Sequence, residues 1–206
     1  MTAMASEVVE NHDRYLERKA LNQSFGYDIE KERRLIIEQA RPISGRILDA
    51  GTGKGYFTLA LAQEGFHFTS FDLSESEQKY ARLNLRYYGL ESQVRLDIAN
   101  AEGLPYQDGF FDVIFTMNMI HHLASVGKVC AEFIRVLSPN GKIILSDFNA
   151  QGFEIMDQIH ASEGRRHEVG PVTLADTKGL FIERGFEVEQ HPGSNQDLLI
   201  ARRKKL

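Results

Sequence analysis

Ile47-Leu48-Asp49-Ala50-Gly51-Thr52-Gly53-Lys54-Gly55-Tyr56-Phe57 runs from an apolar stretch through a glycine cluster into a helix-forming stretch that reaches Gln63. Glycines at such a junction let the backbone turn tightly and approach a ligand closely. Alone, the cluster also fits a plain strand-to-helix turn. Two carboxylates sharpen the reading. Asp49 stands two residues before the first glycine, and Asp72 closes the next apolar run. Asp72 falls about twenty residues beyond the loop, where such folds hydrogen-bond a ribose.

Outward from this loop, short apolar runs alternate with amphipathic segments, the pattern of βαβ units around a parallel sheet. Strands are expected over Arg46–Ala50, Phe66–Asp72, Gln93–Ile98, Phe111–Thr116 and Lys142–Phe148. Gly65, Gly89 and Ser138-Pro139-Asn140-Gly141 mark the ends of intervening helices. Thr173 with Asp176 three residues on predicts a capped helix to about Arg184. Phe186–His191 and Asp197–Ala201, joined by Pro192-Gly193-Ser194-Asn195-Gln196, predict a hairpin. The expected fold class is therefore α/β: a Rossmann-like, doubly wound, mostly parallel sheet ending in an antiparallel hairpin. A dinucleotide-binding domain would instead continue with another parallel strand. Two helices, Met4 to about Asn22 and Glu30–Ala40, precede the sheet.

With 206 residues, 42% of them hydrophobic, the chain has the size and make-up of one domain. A formal charge of −5 disfavours a polyanionic partner, since nucleic-acid binding draws on a broad basic surface. No apolar run has the length of a membrane span, and Met1-Thr2-Ala3-Met4-Ala5-Ser6-Glu7 lacks the basic and apolar regions of a signal peptide. A cytoplasmic protein, monomer or homodimer, without membrane or nucleic-acid partners is expected. The lone Cys130 reads as a small buried hydrophobe. Arg202-Arg203-Lys204-Lys205 reads as a solvated tail.

Taken together, these residues resemble the class I S-adenosylmethionine-dependent methyltransferases, especially small-molecule enzymes related to the ubiquinone-biosynthesis methyltransferases. The resemblance covers about Gly45 to Phe148. It implies S-adenosylmethionine as cofactor, with Asp49, Gly51, Thr52, Gly53 and Gly55 around its methionine part. It further implies Asp72 on the ribose hydroxyls and Leu73 beside the adenine. Asn100-Ala101-Glu102-Gly103-Leu104-Pro105-Tyr106 matches a third family motif, with Asn100 where the family usually has Asp; either side chain can bond the adenine amino group. Thr116 and Met117, ending strand four, are expected at the cofactor's methionine end. A nicotinamide-dependent dehydrogenase is the competing cofactor reading, but its G-x-G-x-x-G spacing would place the third glycine one residue later than Gly55.

For the acceptor, four histidines stand out. His121 and His122 follow strand four, and either act as a general base or cap the following helix and shape a pocket. Residues 149–171 form an insertion that, in the resembling enzymes, covers the acceptor. If it is helical, His160, Glu163 and His167 share one face, at i, i+3 and i+7. That face reads as solvated surface, as an acceptor or proton-transfer site using His160 and His167, or as a transition-metal site; no metal is assigned. Arg165 and Arg166 suit an anionic acceptor or plain surface charge. Tyr15 and Tyr27 are candidates for inward contacts from a lid. The resulting division is 1–42 helical lid, 45–148 cofactor-binding core, 149–171 acceptor-side insertion, and 172–206 final helix and hairpin. The expected activity is methyl transfer to a small-molecule acceptor, mainly by positioning. A non-catalytic protein that binds S-adenosylmethionine or S-adenosylhomocysteine is the alternative.

Overall fold

The computed structural model describes residues 3–204. Met1, Thr2, Leu206 and the last basic residue of the expected tail, Lys205, lie outside the described residues. Two helices come first, α1 (Ala3–Ser24) and α2 (Ile29–Gln39), the second capped by Asp28, which accepts from the Glu30 and Lys31 N–H groups. The sheet then alternates with helices as β1 (Ile47–Ala50), α3 (Tyr56–Gln63), β2 (Phe68–Asp72), α4 (Glu75–Tyr87), β3 (Val94–Ile98) and β4 (Phe111–Met117). After α5 (Gly127–Val136) come β5 (Leu137–Phe148), α6 (Ala150–Ser162), α7 (Leu174–Glu183), β6 (Phe186–His191) and β7 (Gln196–Arg203).

Strand order is β3-β2-β1-β4-β5-β7-β6, with β1 to β5 parallel and β7 antiparallel to both neighbours. The chain reverses its direction of travel across the sheet between β1 and β4, which leaves a crevice beyond their carboxyl ends. Central strands are apolar on both faces, as a sheet covered twice requires. Leu48, Ile114, Ile143 and Leu145 pack toward Val129, Cys130 and Phe133 of α5 and Phe181 of α7. Ile47, Val113, Phe115 and Ile144 pack toward Ile36 and Ile37 of α2 and Phe57 and Leu61 of α3. Each fully buried Leu or Ile side chain contributes about 1.5–3 kcal/mol. Cys130 is fully buried, and burial pushes its thiol up to about 12.

Two expectations change. Strand five begins at Leu137, not Lys142: Leu137 pairs with Phe111, and Lys142 resumes with Val113, so Ser138-Pro139-Asn140-Gly141 is extruded as an irregularity within the strand. The insertion is helical only to Ser162, so His160, Glu163 and His167 do not share a helical face. Gly164 takes a left-handed φ of +68°, which ends the helix, and the chain turns back. The expected Thr173–Asp176 capping box opens α7. Among the described residues no helix is long and apolar enough to cross a membrane.

Candidate active site

The glycine loop is braced from beneath by buried hydroxyls. Thr58 and Ser70 donate to one carboxylate oxygen of Asp49, at 2.6 and 2.8 Å. Because the Ser70 proton is used there, Thr52 Oγ1 donates to Ser70 Oγ at 2.6 Å, and Gln78 Nε2 donates to Thr52 at 3.2 Å. Asp49 is only 1% exposed and lies under the loop rather than on the cavity wall. Burial raises its carboxyl to about 6, against the opposing pull of the two hydroxyls. Above it, Gly51 and Thr52 N–H groups both donate to Phe71 O at 2.9 Å. Gly55, the last loop residue, has φ +78°, and a Cβ there would stand 2.5 Å from the Ala81 Cβ. Only glycine lets α3 start that close to α4.

A cavity of about 330 Å³ opens at the carboxyl ends of β1, β2 and β4. Gly51, Thr52, Gly53, Lys54, Tyr56 and Phe57 line one side, Asp72 and Glu77 another, and Met117, Asn118, Met119 and His122 a third; Arg33 of α2 completes it. One Asp72 oxygen accepts from Gly53 N–H at 2.7 Å and the other from Ser74 N–H at 2.9 Å. Each oxygen retains acceptor capacity for a hydroxyl. Leu73 (71% exposed) and the Asn100-Ala101-Glu102 turn lie outside the cavity lining. Ala99 N–H donates to Asp72 O, which holds that turn beside Asp72. Asn100 Oδ1 accepts from Glu102 N–H, leaving its amide nitrogen free of that turn, and Glu102 pairs with Lys128 at 3.2 Å. Thr116 is buried with its hydroxyl unpartnered, behind Met117.

After β4, Asp147 of β5 holds His121 twice, taking the His121 N–H at 2.9 Å and its ring Nδ1 at 2.5 Å. Both side chains are 2% exposed. The segment after α6 folds back over this turn: Gly170 N–H donates to His121 O at 2.6 Å, and a Cβ on Gly170 would lie 2.7 Å from Leu123 O. That fold-back carries His167 to the others, with ring centroids 5.3 Å from His121, 6.2 Å from His122 and 4.8 Å from His160. Although His122 is exposed, partial desolvation of its ring, reinforced by His121 and His167, lowers it to about 4. Burial also lowers His160, beside Arg165, and His167, beside His121 and His160.

Glu163 bridges Arg18 of α1 and Arg165, the latter at 2.5 Å. Arg166 is exposed. A cleft of about 660 Å³ runs under α1, lined by Arg14, Tyr15, Arg18, Tyr80 and Glu163 among others, and shares Lys54 and Tyr56 with the smaller cavity. Tyr15 Oη reaches Glu30 at 3.3 Å. Tyr27 is enclosed rather than presented to a ligand: it is 2% exposed, accepts from Gln196 Nε2 at 2.8 Å, and packs on Phe148. Gln196 also donates to Asn118 Oδ1 at 2.6 Å.

Arg33 and Asp147 were not expected from sequence, whereas Asn118 lies in the stretch after strand four that was expected to face the reaction. Arg33 is buried with its Nε unpartnered, on the same helical face as Ile29, Ile36 and Ile37. Asn118 has φ +53°, a conformation non-glycine residues adopt at a cost, directly after β4. Asp147 is an acid near the end of an apolar strand, the signal that singled out Asp72.

Residues 48–145 match the family model described as a methyltransferase domain. The core of the sheet, β1 to β5, is thus similar to methyltransferase domains. Over 62% of the chain it is 34% identical to the glycine/sarcosine/dimethylglycine N-methyltransferase of Actinopolyspora halophila, covering 21% of that protein. Over 55% it is 35% identical to the ubiquinone biosynthesis O-methyltransferase of Xylella fastidiosa, covering 46% of it. The chain thus spans less than half the length of each of these two curated relatives. The PH0226 protein of Pyrococcus horikoshii shares the fold with a TM-score of 0.72 at 20% identity, over 83% of this chain and 88% of that one. The match ends at Leu145, in the strand that carries Asp147, and the fold-back bearing His160 and His167 lies beyond it.

Proposed function

We propose that the protein transfers the methyl group of S-adenosylmethionine to a small-molecule acceptor. The observation that carries this is the single cavity in which the glycine loop and Asp72 meet His122. Donor and acceptor sides share one wall-to-wall space at the switch point of the sheet. Asp72 takes the ribose hydroxyls. Arg33, charged and short of a partner at Nε, pairs with the donor's carboxylate. The acceptor enters through the 660 Å³ cleft under α1, which Arg18 and Glu163 tie to the insertion.

Methyl transfer from a sulfonium is an in-line displacement, so alignment and exclusion of water supply much of the acceleration. Of the four histidines, His121, His122, His160 and His167, only His122 lines the cavity; with no metal bound it is the one placed to take a proton where the acceptor must lose one, and the other three stand behind it. The acceptor atom stays open, since one relative is named for N-methylation and the other for O-methylation. Calorimetry with S-adenosylmethionine on the wild type and Asp72→Ala tests the donor site: equal affinities remove Asp72 from it. A screen of amine, hydroxyl and thiol acceptors that follows S-adenosylhomocysteine tests the reaction. Tight donor binding with no turnover on any acceptor would favour a non-catalytic binding protein.

A further inference from the structure

We propose that His121, His122 and His167 form a site for a divalent transition metal. One potential ligand nitrogen from each lies within 4.8 Å of the others, the one such group among the described residues. It joins the His pair after β4 to a residue more than forty positions later, brought there by the Gly170 N–H to His121 O contact. All-imidazole donors suit zinc, copper, nickel or iron and disfavour magnesium or calcium, which take oxygen. Three protein ligands leave a fourth position for a small molecule, and His122 lines the proposed methyl-donor cavity.

The surroundings of the rings fit this role. Metal-bound histidines commonly give their second nitrogen to a carboxylate, which fixes ring orientation and basicity. Asp147 holds His121 Nδ1 at 2.5 Å, leaving Nε2 for a ligand. Asp157 Oδ1 stands 3.5 Å from His167 Nδ1, a nitrogen that is buried and without a hydrogen-bond partner. Two imidazole nitrogens on a tetrahedral metal at 2.0–2.1 Å are about 3.4 Å apart, so the trio must contract by ~1.4 Å at most. His122, itself exposed, and His167, on a segment without regular secondary structure, are the two rings that must move. The earlier trio of His160, Glu163 and His167 fails, because Glu163 is committed to Arg18 and Arg165.

The site goes beyond the methyl-transfer reading, and its test needs no turnover. Chelator-treated full chain is titrated with zinc chloride by calorimetry and with cobalt chloride by visible absorption. One equivalent is expected to bind, with the strong d–d bands of four-coordinate cobalt. His122→Ala and His167→Ala are each expected to weaken binding by ~10–100-fold or more, and Asp147→Asn by ~10–100-fold. His67→Ala, on an exposed residue elsewhere, is expected to change nothing. His122→Ala removes an exposed side chain and keeps the test open if the buried variants fail to fold. Failure to bind an equivalent, or equal affinity in wild type and His122→Ala, would overturn the site. S-adenosylmethionine affinity measured on the same samples separates the two proposals: donor binding without metal binding removes only the metal, and the reverse removes only the donor.

Discussion

Asp49→Asn should stabilise the protein at neutral pH, although Asp49 belongs to the motif that marks the cofactor loop. The wild-type carboxylate is 1% exposed and receives two hydroxyl protons on one oxygen, and burial lifts its folded pKa from an ordinary 3.8 to about 6. Below 3.8 the group is protonated folded and unfolded alike, and costs nothing. As pH rises toward 6 the unfolded chain releases the proton while the folded chain keeps it, so stability falls by up to 1.36 kcal/mol per pH unit. Above 6 the loss levels off at about 3 kcal/mol. Asparagine keeps an oxygen for Thr58 and Ser70 and carries no charge, so it removes that loss. Urea denaturation at pH 4, 5, 6 and 7.5 gives the difference in unfolding free energy between variant and wild type. It should be near zero at the lowest pH, grow between pH 4 and 6, and reach about 3 kcal/mol. A variant less stable than wild type at pH 7.5, or a difference independent of pH, would refute the reasoning. Titrating groups other than Asp72, whose charge acts on Asp49, cancel in the comparison.

Gly170→Ala places a Cβ 2.7 Å from Leu123 O and 3.1 Å from His121 O, and is expected to cost about 1–3 kcal/mol, read as a lower Tm at ~2–4 °C per kcal/mol. An unchanged Tm would mean the fold-back does not hold the turn. Gly55→Ala combines a left-handed φ with the Ala81 clash; Tm and donor affinity should fall together, and adding Ala81→Gly should recover part of both. Arg33→Met should weaken S-adenosylmethionine by ~10–100-fold, the worth of a charge-assisted hydrogen bond, while decarboxylated S-adenosylmethionine binds wild type and variant alike in calorimetry. Equal losses on both ligands would place Arg33 away from the carboxylate.

The sheet was legible because each of its parts announces itself locally. Apolar runs such as Ile143-Ile144-Leu145 have no place but a strand covered on both faces, and Gly65 and Gly89 stop helices with left-handed φ. Boundaries slipped where pairing rather than pattern decides, as at Leu137, which joins β5 only through Phe111. In the site, Asp72 was readable from its strand-end position. Arg33 was not: a charge on an apolar helical face looks like noise until tertiary packing encloses it. Tyr27 misled for the converse reason, since an aromatic beside a glycine suits a lid as well as the core cluster with Ile29, Ile155 and Ile159.

The histidines were each visible, but their grouping was not, and the cause is specific. Helical spacing from His160 to His167 presumes an unbroken helix, and Gly164 removes that premise one residue after Glu163. Once the chain reverses, what joins His167 to His121 is a backbone contact at Gly170, more than forty residues beyond the β4 turn. No periodicity encodes such a contact. The close approach does, however, leave a trace in the residue type: only glycine fits against Leu123 O and His121 O. The proposed acceptor side is therefore set by a loop that the glycine permits and Asp147 anchors through His121. Changing Gly170 should consequently disturb acceptor-side chemistry before it disturbs the donor cavity, whose walls belong to β1, β2, β4 and their loops.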